Sequence, residues 1–301
     1  MEYNYTLARL TNKEFELLSR FIYEQFGIKM PLAKKTLLEC RLQKRLRALQ
    51  IENFKQYIEF LFSKTGSVQE LLLMANVVTT NKTDFFREAA HFNFLRALDW
   101  NTYFGGDTSG KVLRVWSAAC SSGEEPYTLA MTLQELNAFD YQILGTDLSK
   151  EVLEKAFTAI YTDERVLPVP LMYKQKYFLK HKDPKKRVLR IAPELRKKVS
   201  FRQLNLMDNS YDLPAKQDII FCRNVLIYFD RLTQEKVIRK LCAQLKEGGY
   251  LFIGHSESLS DLRLPLIQKK STVYQKTHTN TWGGLGAVHK PLYHASTPFE
   301  K

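Results

Sequence analysis

The chain is 301 residues long, enough for one or two domains with a sizeable core. Its hydrophobic content of 45% is that of a globular protein. No stretch approaches the roughly 18 apolar residues of a spanning helix, and the N-terminus has no charged-then-apolar signal, so no membrane insertion and a cytoplasmic location are expected. The formal net charge of +13 calls for an acidic or polyanionic partner, with nucleic acid the first suspicion.

Residues 1–80 are predicted to be helical. Apolar stripes at helical spacing run through Phe15, Leu18, Phe21 and Ile22 and through Phe54, Tyr57, Ile58 and Leu61, with Gly27 and Gly66 as breakers. Between them, Leu38, Leu42, Leu46 and Leu49 form another stripe, and Lys34, Arg41 and Arg45 line one edge of it. A run of cations is usually a solvated face, but a row beside an apolar stripe also suits docking onto an acidic helix.

Residues 81–110 read as a linker containing a helix from Ala89 to Leu98 and a polar loop over 105–110. An α/β domain is expected over 111–277. It opens with an apolar run (Val112, Leu113, Val115, Trp116), then small residues from Ser117 to Gly123, then Glu124, Glu125 and Pro126 before helix formers from Tyr127 to Leu136. That is a strand, a tight turn and a helix start, where open α/β sheets hold cofactors. Acids there could cap the helix or meet a cation on a ligand.

A second strand, Tyr141–Gly145, leads to Asp147, spaced from Gly123 as a ribose-gripping acid would be. N-capping of the next helix, Lys150–Ala159, is a compatible role for it. The stretch 161–200 carries twelve Lys or Arg against four Asp or Glu and reads as a small insertion, with a helix near 170–178 and a β-like piece at 187–191. Strands follow at 199–204 and 218–222, then Arg223-Asn224-Val-Leu-Ile-Tyr228-Phe229, a helix over 233–245 and a strand at 250–253. Residues 278–301 have no period and are expected to be a disordered tail.

The cysteines, Cys40, Cys120, Cys222 and Cys242, have no metal or CxxC spacing and read as buried free thiols. The six histidines show no metal-ligand spacing, so no metal is expected. His255 beside Ser256 suggests a base, but no other residue pattern indicates acyl chemistry.

Four segments together carry a family resemblance: Thr79 to Glu88 (TTNKTDFFRE), Val115 to Tyr127 (VWSAACSSGEEPY), Phe221 to Phe229 (FCRNVLIYF) and Gly254 to Ser258 (GHSES). In this order they resemble the chemotaxis-receptor glutamate methyltransferases, the CheR family, over roughly residues 10 to 277. The resemblance implies a Rossmann-like S-adenosylmethionine methyltransferase sheet preceded by an all-α N-terminal domain. It implies methyl transfer from S-adenosyl-L-methionine to glutamate side chains on the cytoplasmic part of membrane chemoreceptors, with the basic helix (Lys34, Arg41, Arg45) docking on acidic methylation helices.

Such a reaction needs no general base, because a glutamate is already an anion and a sulfonium methyl already an electrophile. It needs alignment and removal of water. Arg87 is the candidate carboxylate clamp, with Arg223 behind it, and Tyr228 could donate its hydroxyl to the substrate carboxylate or line the methyl channel. Asn81 and Thr83 suit the methionine end of the cofactor, and Asn205 and Leu206 match its adenine contacts. Glu125, Asp147, Arg223 and Asn224 complete the expected cofactor site, which Arg87 is expected to touch as well. The turn Arg223-Asn-Val-Leu lacks the Asn/Asp-Pro-Pro-aromatic pattern of base-methylating enzymes, which counts against a nucleic-acid methyltransferase and a stable nucleic-acid partner. A non-catalytic S-adenosylmethionine-binding protein is the other alternative. A monomer is expected, and the insertion lacks the glycine turn of family members that tether to a receptor's C-terminal peptide.

Overall fold

The computed structural model describes residues 7–63, 67–183, 185–260 and 262–277. Gly66 and the 278–301 tail lie outside them. Four helices come first: α1 (Asn12–Phe26), α2 (Lys35–Leu49), α3 (Phe54–Leu61) and α4 (Ser67–Val78). Helix α1 begins in a capping box, with Thr11 and Glu14 satisfying each other's backbone N–H groups. It ends at Gly27, whose φ of 70° only glycine adopts freely. A Cβ there would come within 2.5 Å of the Met207 sulfur, so the end of α1 is packed tightly on the second half of the chain.

Two short helices follow, α5 (Ala90–Ala97) and α6 (Trp100–Tyr103), burying Phe92, Leu95 and Trp100. The α/β part then runs β1 (Val112–Ala118), α7 (Glu124–Leu136), β2 (Asp140–Asp147) and α8 (Lys150–Thr158). Next come β3 (Ile160–Thr162), α9 (Asp163–Val166), α10 (Leu171–Tyr177), β4 (Phe178–Lys180) and β5 (Val188–Ile191). Finally there are α11 (Pro193–Arg196), β6 (Val199–Gln203), β7 (Gln217–Cys222), α12 (Arg231–Gln244), β8 (Leu245–Ile253), β9 (Leu266–Lys270) and β10 (Val273–Lys276).

The main sheet has the order β6-β2-β1-β7-β8-β10-β9, parallel from β6 to β8 and antiparallel beyond. Strands β3, β5 and β4 form a separate small antiparallel sheet. The fold is therefore an open, mostly parallel α/β sheet with a small β insertion behind an all-α segment. Chain order reverses at β1, whose neighbours are β2 and β7, and this is where such sheets open a ligand crevice.

Alternate side chains along the strands feed two cores. Trp116, Ala118, Ile220 and Cys222 face one core, which also takes Leu18, Ile22, Leu38 and Leu42 of the N-terminal helices. Val115, Ile219 and Phe221 face the other, with α5, α7 and the small sheet.

Three details differ from the sequence reading. Helix α7 starts at Glu124, ahead of Pro126, so both acids lie in its first turn. Strand β8 starts at Leu245, with Gly248 and Gly249 in an irregular stretch of its pairing with β7. Cys40 is exposed, because it falls on the face of α2 away from the Leu38/Leu42/Leu46 stripe, whereas Cys120, Cys222 and Cys242 are buried.

Candidate active site

At the carboxyl end of β1 the chain passes through Ala119, Ser121 and Gly123, all with positive φ. A Cβ on Gly123 would meet the Ala156 Cβ at 2.8 Å and the Tyr161 hydroxyl at 2.9 Å, so the turn needs glycine for space as well as for φ. The Cys120 amide donates to the Thr146 carbonyl at 2.9 Å and the Ser121 amide to Asp147 Oδ2 at 2.8 Å, tying this turn to the end of β2. Asp147 Oδ1 accepts from the Ser149 amide at 3.0 Å. Burial pushes the Asp147 carboxyl up from its ordinary value.

Glu124 and Glu125 diverge. Glu124 accepts from the Ser122 hydroxyl at 2.7 Å and lies 3.0 Å from Arg165. Glu125 faces the crevice, accepting from Ser117 Oγ at 2.6 Å and from Arg223 Nη1 at 3.0 Å. Burial raises the pKa of both, opposed by these partners.

Arg223 follows β7 and is 2% exposed at its side chain. Its Nη2 donates to Glu88 Oε2 at 2.9 Å and to the Arg87 carbonyl, and its guanidinium lies 5.7 Å from the ring centres of Phe92 and Phe221. Asn224, at φ 57°, donates through Nδ2 to Glu88 Oε1 at 3.1 Å. Although burial works against it, the hydrogen bond from Asn224 and the charge of Arg223 hold the Glu88 carboxyl down to about 2. Glu257 accepts from the amides of Gly254, Asn224 and Ile227 at 2.6, 3.1 and 3.3 Å, fixing the turn that carries Tyr228.

Arg87 stands between two non-glycine residues with positive φ, Phe86 at 55° and Glu88 at 58°. Such backbone is costly for a bulky residue and clusters at functional sites. Arg87 is half-buried, donates to the Lys82 carbonyl at 3.0 Å and makes no ion pair among the described residues.

One crevice gathers Asn81, Thr83, Arg87, Glu125, Asp147, Asn205, Leu206, Arg223, Asn224 and Tyr228, with Lys34 and Arg41 on its N-terminal wall. Apolar side chains of the helical part, Phe26, Ile28, Met30 and Leu37, complete that wall. The Asn205 side chain donates through Nδ2 to the Gln25 carbonyl at 2.8 Å and accepts at Oδ1 from the Met207 amide at 3.0 Å, so it ties α1 to the loop. Lys34 Nζ lies 6.0 Å above the Tyr228 ring. Arg41 donates to Thr80 Oγ1 at 2.8 Å and to the Val78 carbonyl.

Arg45 is the exception. It meets Glu70 of α4 in a two-point ion pair at 2.9 and 2.7 Å, the two side chains 13% and 3% exposed. Its expected place in a free docking row is corrected: a buried carboxylate must find a cation, and Arg45 is spent on it. The sequence reading also assigned no role to Glu88 or Glu257, although both fall within its quoted motifs.

A family profile described as "CheR methyltransferase, SAM binding domain" matches residues 81–275, and "CheR methyltransferase, all-alpha domain" matches residues 13–79. The "Chemotaxis protein methyltransferase" of Borreliella burgdorferi is 41% identical over 257 residues, covering 83% of this chain and 89% of that protein. The Escherichia coli protein of the same name is 38% identical over 268 residues, covering 88% and 91%.

Proposed function

From the premise that this chain belongs to the CheR methyltransferase family, we propose that it methylates glutamate side-chain carboxylates of chemoreceptors to methyl esters. At the coarser level it is an S-adenosylmethionine-dependent methyltransferase of chemotaxis. The crevice fits the cofactor: a tight turn at the sheet's switch point, an acid with spare lone pairs at the ribose position, and an arginine without an ion-pair partner among the described residues. Asp147 and the backbone around Ser121 would hold the nucleoside, with Leu206 as an apolar wall and Asn81 and Thr83 toward the methionine end. When bound, S-adenosylmethionine supplies an activated methyl group.

The protein's part is orientation and exclusion of water. Arg87 takes a carboxylate, and the Tyr228 hydroxyl, which lines the same crevice and has no partner among the described residues, donates to it. The apolar wall of Phe26, Ile28, Met30 and Leu37 strips water from an anionic nucleophile. Arg223 is engaged by Glu88, Glu125 and the Arg87 carbonyl, so it frames the crevice and leaves substrate to Arg87.

The observation that carries this reading is the contrast, in one crevice, between Arg223, ion-paired to Glu88 and Glu125, and Arg87, which has no ion pair among the described residues. The test is incubation of the protein with methyl-labelled S-adenosylmethionine and receptor-containing membranes. Label on the receptor that mild alkali releases supports the ester; label that survives alkali contradicts it.

A further inference from the structure

We propose that Glu88, His91 and His255 form a binding site for a divalent transition metal of the zinc class, set behind the methyl-transfer crevice. One ligand atom from each residue lies within 4.8 Å of the others. His91 Nδ1 is 3.7 Å and His255 Nε2 3.9 Å from Glu88 Oε2, too far for hydrogen bonds but close enough to converge on one ion. Ligand atoms about 2.0–2.2 Å from a tetrahedral zinc sit about 3.3–3.6 Å from one another. The residual gap is a small rotation of His255, which is half exposed and gives the ion an entry path.

The tautomer of His91 is the decisive detail. Thr272 Oγ1 donates its proton to the Ser271 carbonyl at 2.7 Å, so at 2.8 Å from His91 Nε2 it accepts. Nε2 therefore carries the ring proton, and Nδ1 presents a lone pair toward Glu88. That Nδ1 is buried with no hydrogen-bond partner among the described residues, in a residue only 1% exposed, a costly arrangement that a cation relieves. The Nε2–H bond to Thr272 is the outer contact that metal-bound histidines characteristically make. Two imidazole nitrogens and one carboxylate oxygen suit zinc, nickel or copper rather than magnesium or calcium.

The site shares Glu88 Oε2 with Arg223, so an ion there competes with the guanidinium for the same oxygen. Resting on the proposed methyl transfer, the inference adds that zinc slows this reaction by loosening Arg223.

The test titrates the full chain with zinc chloride against a chromophoric chelator, comparing wild type, His255→Ala and Thr272→Val. Histidines elsewhere, including those of the tail, are unchanged in all three, so any zinc they take cancels. Wild type should bind one equivalent more than His255→Ala, and Thr272→Val should bind that equivalent about 10–100-fold more weakly. Equal stoichiometry and affinity in wild type and His255→Ala would overturn the site. Zinc should inhibit methyl transfer by wild type and spare His255→Ala; equal inhibition of both would overturn the coupling to Arg223. Failure of the methyl-transfer reading leaves the binding titration intact, which keeps the two claims separable.

Discussion

Arg223 and Glu88 form a buried ion pair at 2.9 Å, from residues on opposite sides of the crevice, and the same arginine also holds Glu125 at 3.0 Å. Burying three charges is unfavourable unless each is matched, and removing the shared cation leaves two buried carboxylates unpaired. Arg223→Ala should therefore cost about 3–5 kcal/mol of folding stability, read as a lowered denaturation midpoint. A stability loss under about 1 kcal/mol would show that the network is solvated.

Asp147 carries the cofactor prediction. Its two oxygens fix the Ser121 and Ser149 amides, leaving further lone pairs for the ribose hydroxyls. Asp147→Ala should weaken S-adenosylhomocysteine binding by about 1–3 kcal/mol in calorimetry. Unchanged affinity would remove Asp147 from the site.

Arg45 and Glu70 separate structure from docking on the basic helix. The Tyr57 hydroxyl also donates to Glu70 at 2.9 Å, so the carboxylate is held twice. Arg45→Ala should lower stability by about 3 kcal/mol, since a buried charge loses its partner. Lys34→Glu, on the crevice wall, should leave stability nearly unchanged and raise the apparent Michaelis constant for receptor, an effect that shrinks as salt is raised. If Arg45→Ala is neutral for stability, the ion pair contributes no net energy.

Asp230 predicts an acid dependence. It accepts from the Tyr23 hydroxyl at 2.6 Å and caps α12 through the Thr233 amide at 2.9 Å, joining α1 to the α/β part. Those bonds, the Tyr23 bond first, depress its pKa. Its contribution is thus present above the ordinary aspartate value of about 3.9 and is lost as pH falls through the lower folded value. Asp230→Ala should cost about 1–2 kcal/mol near neutral pH, and the gap to wild type should narrow below about pH 4. A gap that stays constant to pH 2 would contradict this assignment.

The β1 turn, the place of Asp147 at the end of β2 and the stripe of Leu38, Leu42, Leu46 and Leu49 on α2 were legible in the sequence because each rests on a local pattern: an apolar run, a glycine, or a helical period. The framing of the crevice was not. Glu88 reaches Arg223 across 135 positions of sequence, and no spacing rule links them. Arg45 looked like its neighbours in a basic run until α4 brought Glu70 opposite it. Strand β9 escaped notice because Gln268, Lys269 and Lys270 hide the alternation of an edge strand. The pairing of His91 with His255 likewise exists only once β8 and α5 have packed.

The most direct test of the account is receptor methylation by Arg87→Ala at saturating S-adenosylmethionine. The account predicts alkali-labile label on receptor with wild type and turnover lowered about 100-fold in the variant, since the carboxylate loses the clamp that aligns it. Its stability should stay close to wild type, because Arg87 has no ion pair to break among the described residues. Methylation of the receptor by Arg87→Ala at the wild-type rate would contradict the assignment of the substrate carboxylate to this residue.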